Sequence, residues 1–536
     1  MGFTLAALAQ PDAGWRQVAG AVAILTLATT GNAILPIPFA FAVSGAVAAT
    51  LIILAVALVN VFTCKLLLRG AVSTGSADYE QLANAVGGKW LQLWAEVWIV
   101  VLLIGTNIGG IIQMGEAFGY AVEIQWPDAP NWLWDRSGTA AMLFFTLCII
   151  FPLSMLPKMR KLEMVGNGGV LILFALVITV MVKAIQEGMP ALNSGDFPSV
   201  SSGDLTSISE TFSLLCFAFY HQVMMMPLLS EMPRVNSDIA RRSAKALHRA
   251  STITILGTSG LYYWFTGFFG ASMYGASGIS DNFLDNTWLP GAGTFVLNLI
   301  VTIYLAISIP PICHATNHSV DGWLRRLFPR AYAGLRRDWQ RRFIVNCCTI
   351  LPCLGVACGV PGESGTVLSV TGATGVAMCS YLMPVAIHFM LYFGKARCMR
   401  AARRAASAAT LPAAEALEAG KAAPAAAPPA LELVSCGPLL IDDGAEHSMK
   451  HSMGSAEGIG SGTSPLCGAP GKLGEDKEMF EAHPDAPAGL FYAYRKPRRY
   501  RLFALAYDIV LPILVCALGG FFSIATLVLL FQPSSE

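Results

Sequence analysis

From Val18 to Leu58 the chain is an almost unbroken run of apolar side chains, and further apolar runs recur along it. A helix needs about 20 such residues to cross a bilayer. In lipid every backbone N–H and C=O must be bonded internally, so only helices and closed barrels span. A barrel would be written in short alternating segments of about ten residues, which are absent here. The pattern predicts an all-α polytopic membrane protein with eleven spans, near 16–43, 46–68, 91–121, 139–156, 163–184, 208–231, 250–274, 292–316, 342–360, 366–393 and 502–530. Composition agrees, with 54% apolar and 13% charged residues, against about 45–50% and 25% in soluble domains.

Orientation follows from the loops, since cytosolic loops carry the Lys and Arg excess. Lys158, Arg160 and Lys161 follow span 4, Arg234 to Arg249 follow span 6, and Arg325 to Arg342 follow span 8. The intervening loops hold acids instead, among them Glu123, Asp128, Glu187, Asp196, Asp281, Asp285 and Glu363. Residues 1–15 are therefore expected in the cytosol, and the carboxyl end after the eleventh span (502–536) outside or in a lumen. Residues 394–501 form a long cytosolic loop, basic at both ends and rich in Ala, Pro, Gly and Ser between, which is expected to be disordered. Its partners are unknown from sequence. The thirteen cysteines lie mostly in apolar runs and read as small membrane-core residues rather than a disulfide framework. No cleavable leader is expected at the start, because the first apolar run continues far beyond a leader's core.

Two spans are interrupted. Thr30-Gly31-Asn32-Ala33-Ile34-Leu35-Pro36-Ile37-Pro38 stands near the middle of span 1, and Tyr220, His221, Gln222 and Pro227 interrupt span 6. Glycine and proline each weaken a helix interior. Spans 1 and 6 open two sets of five, 16–184 and 208–393; with an odd number in each set, the second runs inverted. Paired interruptions at corresponding positions point to a secondary-transporter site. There, half-helix amino ends offer N–H groups to a carboxylate, and unwound carbonyls receive an ammonium or a cation. That chemistry suits a zwitterion such as an amino acid. No nucleotide-binding loop, metal-ligand cluster or nucleophile constellation stands out, so neither an enzyme nor a nucleic-acid binder is expected, and no cofactor or metal.

Residues also resemble a family. GNAILPIPFAFAVSG (31–45) resembles the G-x-G-I-L-x-L-P-x-A-F signature of the amino acid/auxin permease family, with Asn32 and Ala33 departing from it. GTNIGGIIQMGE (105–116), FAFYHQVMMMPLLSEM (217–232), AISIPPICHATNHSV (306–320) and LSVTGATGVAMCSYLMP (368–384) are similar to its further segments, in order along the core. The resemblance implies a leucine-transporter-like fold of five plus five helices with broken helices 1 and 6, an eleventh helix, and alternating access. It places the substrate against Thr30, Gly31, Asn32, Ala33 and Ile34, with Phe219, Tyr220 and His221 opposite and Asn107 and Tyr304 as wall residues; helix packing explains the last two equally well.

Sodium-coupled members carry an asparagine four residues before the glycine matched by Gly31, where this chain has Leu27; Ser308 still offers an oxygen for an ion. Coupling to a proton gradient is therefore expected over sodium, with His221 and Glu116 as the intramembrane candidates for carrying the proton. The alternatives are an amino-acid sensor signalling through the cytosolic loop and a passive facilitator. The membrane is the plasma membrane or a vacuolar or other endomembrane.

Overall fold

The computed structural model describes residues 14–394 and 506–530, with breaks at 77, 127, 129, 131–137, 157–159, 233–236, 287–291 and 334–336. The loop expected to be disordered, beyond Gly394, lies outside the described residues, as does the amino-terminal segment before Gly14. Among the described residues there is no strand. Helices stand at each of the eleven expected stretches. The first is split into α1 (Gly14–Thr30) and α2 (Ile37–Ser44), followed by α3 (Ala46–Thr74) and α4 (Tyr79–Gln125). Next come α5 (Thr139–Ser154) and α6 (Arg160–Gln186), then the split pair α7 (Leu205–Phe219) and α8 (Gln222–Glu231). α9 (Ser237–Ile253) and α10 (Gly260–Gly278) are joined by a π-turn at Thr254–Ser259. α11 (Ala292–Leu327), α12 (Asp338–Gly359), α13 (Ser364–Gly394) and α14 (Ala506–Leu530) complete the set. Among the described residues, seven helices are long and apolar enough to cross a membrane by length and composition alone.

Several helices outrun their expected spans. α4 starts at Tyr79 rather than at 91, turning at Gly88 (φ 72°), and the Tyr79 hydroxyl donates to the Cys379 carbonyl at 2.7 Å. α9 starts at Ser237 rather than at 250, and α11 continues past 316 to Leu327. Hydropathy marks where apolar surface lies, whereas i→i−4 bonding continues wherever the chain stays helical. The polar extensions are held by specific contacts. Arg326 grips Glu96 through two bonds, 2.7 and 2.9 Å, and Trp323 Nε1 adds a third at 3.1 Å. Glu96 is buried beneath them.

Spanning helices gain little from hydrophobic burial against one another, so close van der Waals approach has to hold them together. Small residues on α4 and α13 make that approach. A Cβ at Gly372 would stand 2.1 Å from the Ser213 carbonyl oxygen, and one at Gly375 would stand 2.7 Å from the Leu102 Cα. The Leu-Ser-Val-Thr-Gly-Ala-Thr-Gly run is thus a packing surface. Here α13 passes through a long π segment, Gly372–Leu382, which brings its backbone against α7 and α4. α14 seats on α7 and α13: the Ser213 and Thr526 hydroxyls pair at 2.7 Å, Phe212 stacks on Phe522 at 4.4 Å, and Gly519 meets Tyr381.

Beyond α2 the chain turns at Gly45 (φ 96°) into α3, and the first three N–H groups of α3 lack partners within their own helix. Residues 198–200 supply them. Ala46, Val47 and Ala48 donate to the carbonyls of Pro198, Ser199 and Val200 at 2.9, 3.3 and 2.9 Å, and Ser202 N returns a bond to Ser44 O at 3.0 Å.

Candidate functional site

Both expected interruptions are present, and each has a local cause. α1 ends at Thr30; Gly31 takes a non-helical conformation, a single 3-10 turn covers Asn32–Ile34, and Pro36 and Pro38 start α2 without donors of their own. α7 ends at Phe219, where Tyr220 is extended (ψ 134°) and His221 non-helical, before α8 resumes at Gln222. The breaks fall in the first helix of each set of five, as the leucine-transporter arrangement requires.

A residue that the sequence did not single out joins them. The Tyr263 hydroxyl, on α10, lies 2.7 Å from the Thr29 carbonyl and 2.8 Å from the Ala218 carbonyl. These oxygens belong to the last turns of α1 and α7, where helical carbonyls lack i+4 donors and the helix dipole is negative. One phenolic proton therefore serves two carbonyls on two broken helices. The ring is fully buried, with Phe219 edge-on at 5.1 Å. Two hydroxyl pairs support the joint: Thr26 with Thr258 at 2.7 Å and Thr29 with Ser259 at 2.8 Å, the latter two contributed by the π-turn between α9 and α10. π-turns recur at functional sites. From sequence, a tyrosine in an apolar helix reads as core, and nothing in composition marks the π-turn.

The other expected residues separate into groups. Phe219 and Tyr220 stay with the breaks, and the Tyr220 hydroxyl shares a bond with Thr106 on α4 at 3.1 Å. Ala33 and Ile34 are buried, Gly31 is half-buried, and the Thr30 hydroxyl donates back to Thr26 O. The backbone of Asn32 belongs to the 3-10 turn, while the side chains of Asn32 and Leu27 lie outside the described residues. Tyr304 is buried with its hydroxyl unpartnered.

His221 faces away from α1. Its Nδ1 lies 3.0 Å from the Phe219 carbonyl, which can only accept, so Nδ1 carries the hydrogen and Nε2 accepts from the Ser251 hydroxyl at 2.7 Å, with Cys64 Sγ 3.3 Å away. Gln222 beside it is satisfied by Asn60 (2.7 Å), Thr63 (3.1 Å) and Ser380 (2.7 Å). Asn107 binds α11 through Thr316 and Cys313, the packing role that was its alternative. The Ser308 hydroxyl donates to Leu305 O on its own helix at 3.0 Å. Glu116 stands towards the far end of α4, receiving Asn282 Nδ2 at 2.9 Å on one oxygen. The loop carrying Asn282 reaches the first break, because Phe283 N donates to Leu35 O at 3.3 Å. In that loop burial, the dominant cause, raises the Asp281 carboxyl above its ordinary pKa, against the donation from Gly365 N.

Comparison with known proteins agrees with this architecture. The sodium-coupled neutral amino acid transporter 7 of Rattus norvegicus is 25% identical over 383 residues, 69% of this chain and 78% of its own length. Solute carrier family 38 member 8 of Mus musculus is 24% identical over 293 residues, covering 54% and 64% of the two chains. Among solved structures, the crystal structure of MhsT in complex with L-phenylalanine aligns over 70% of this chain and 89% of that one at 10% identity, with a TM-score of 0.45. The sequence profile of the family described as transmembrane amino acid transporter protein matches residues 15–406. The chain is therefore a membrane transporter rather than an enzyme, and it belongs to the transmembrane amino acid transporter protein family.

Proposed function

We propose that this protein moves a zwitterionic amino acid by alternating access, holding it at the breaks of spans 1 and 6, and that a proton gradient drives it. The observation that carries the reading is the Tyr263 hydroxyl, which brings the carbonyl ends of both broken helices to one point. Those ends are negative and suit the cargo's ammonium; the amino ends of α2 and α8, beyond the breaks, are positive and suit its carboxylate. The basic loops support a cytosolic amino-terminal side.

Proton coupling is supported by Leu27, which stands where sodium-coupled members have an asparagine. A second reading, sodium coupling, is favoured by the relatives named sodium-coupled neutral amino acid transporters. The two intramembrane carriers to test are His221, engaged at both ring nitrogens, and Glu116, with one oxygen unpartnered.

The deciding experiment is uptake into proteoliposomes of a labelled amino acid panel under imposed proton and sodium gradients. Accumulation with an inward proton gradient, without sodium and abolished by a protonophore, is expected. Strict sodium dependence would replace the proton with sodium, and no uptake of any amino acid would overturn transport. His221→Gln and Glu116→Gln should then be compared: the carrier is the one whose loss flattens the pH profile of uptake.

A further inference from the structure

A cavity of about 620 Å³ opens at the far end of α4, bounded by α4, by the chain between α10 and α11, and by the turn before α13. Glu116, Glu123 and Asp285 line it with Tyr120, Ser277 and Asn286, and no basic side chain is among its described lining residues. Acidity alone would not make a site, but Glu116 adds a second observation. It is only 3% exposed, and while Oε2 receives Asn282, Oε1 has no partner. The Ser364 hydroxyl beside it is likewise buried and unpartnered. A bare buried carboxylate oxygen is costly, and natural structures rarely leave one without a use.

The position of Glu116 narrows that use. Thr106, Gln113, Glu116 and Tyr120 follow helical spacing and share one face of α4. Thr106 touches Tyr220 at the second break, and Glu116 is ten residues further on, about 15 Å at ~1.5 Å per residue. Between them Gln113 is fully buried with neither amide atom partnered. A line of unsatisfied polar groups thus runs from the acid-lined cavity towards the breaks. The cavity is also joined to the first break by Asn282, which holds Glu116 with Nδ2 and accepts from Leu284 N with Oδ1, next to the Phe283 that bonds Leu35 O.

We propose that this cavity is a second binding site, taking the primary ammonium group of an amino acid on its way to the breaks, with Glu116 Oε1 and the Ser364 hydroxyl as its acceptors. An ammonium has three donors and needs only a few acceptors. A hard metal ion would need about six oxygens closely arranged, and the described residues contain no metal-type cluster. The volume also suits an organic cation better than a bare ion. That the cation is an amino acid's ammonium rests on the transport reading; binding itself is measured without transport.

The test is calorimetric titration of the purified full-length protein with n-butylammonium, which lacks the carboxylate that the breaks would require. Wild type should show saturable one-to-one binding that n-butanol and tetramethylammonium do not reproduce. Glu116→Gln should weaken it at least tenfold. Ser364→Ala, which leaves every charge in place, should weaken it about threefold and guards against a misfolded first variant. Unchanged affinity in both variants, no saturable binding to wild type, or equal heat from sodium chloride alone would overturn the proposal. Loss of amino acid uptake with butylammonium binding intact would instead count against the transport reading.

Discussion

Tyr263→Phe removes one oxygen from a fully buried ring and changes almost nothing else in volume. The Thr29 and Ala218 carbonyls then lose the donor that they share. A buried acceptor left unsatisfied costs about 1–3 kcal/mol, which for two would reach ~6. Both carbonyls were sharing a single proton, however, and hydrogen bonds between spanning helices average only about 0.6 kcal/mol. A net loss of about 1–3 kcal/mol is therefore expected, carried by the geometry of the breaks. If the cargo needs both carbonyls held at one point, that energy reappears in the apparent affinity: at ~1.4 kcal/mol per decade, KM rises roughly 5–150-fold. The assay is concentration-dependent uptake in proteoliposomes, with a melting curve on the same preparation. Tyr304→Phe is the matched control, since its hydroxyl is also buried but unpartnered; its melting point should hold or rise. Tyr263→Phe transporting with unchanged KM and unchanged melting would refute the claim that this hydroxyl sets the site.

Three further outcomes are expected. Arg326→Ala leaves Glu96 buried without its cation; breaking a buried pair costs about 3–5 kcal/mol, but Arg326 is half-exposed, so about 1–3 kcal/mol is expected in thermal melts, largely recovered by adding Glu96→Gln. Gly372→Ala forces a methyl against the Ser213 carbonyl oxygen; overpacking costs about 1–3 kcal/mol or more, and the variant should fail size-exclusion or melt well below wild type. Asp204 caps α7 by accepting from Thr206 N and Ser207 N, so Asp204→Ala should cost about 0.5–2 kcal/mol. Those donations, that of Ser207 N foremost, hold its carboxyl below the ordinary value. The cap's ionic part is accordingly complete above about pH 4 and lost as pH falls through the folded value, so Asp204→Asn should keep the cap and lose that acid sensitivity.

Much of this was legible before any coordinates. Glycines, prolines and polar residues in mid-span gave away both breaks, because helical regularity is a local property and its failure is written locally. The order of spans was readable for the same reason. Helix ends were not: α9 and α11 continue beyond the apolar surface that hydropathy detects. Tyr263 was missed because its role depends on which carbonyls the fold brings to it. His221 was visible as a polar residue at depth, but the direction of its ring, towards Ser251 and Cys64, is a matter of tertiary packing. Glu116 could be placed on a helix from sequence, though the loop that meets it could not.

The three backbone bonds from 198–200 onto the start of α3 give this molecule a fixed grip. Val200 is 65% exposed while its carbonyl is anchored to Ala48, so an antibody fragment raised against this short stretch would ride rigidly on the bundle. For a transporter of this size, whose images in a detergent belt offer few landmarks, such a handle supplies mass and orientation without touching either broken helix.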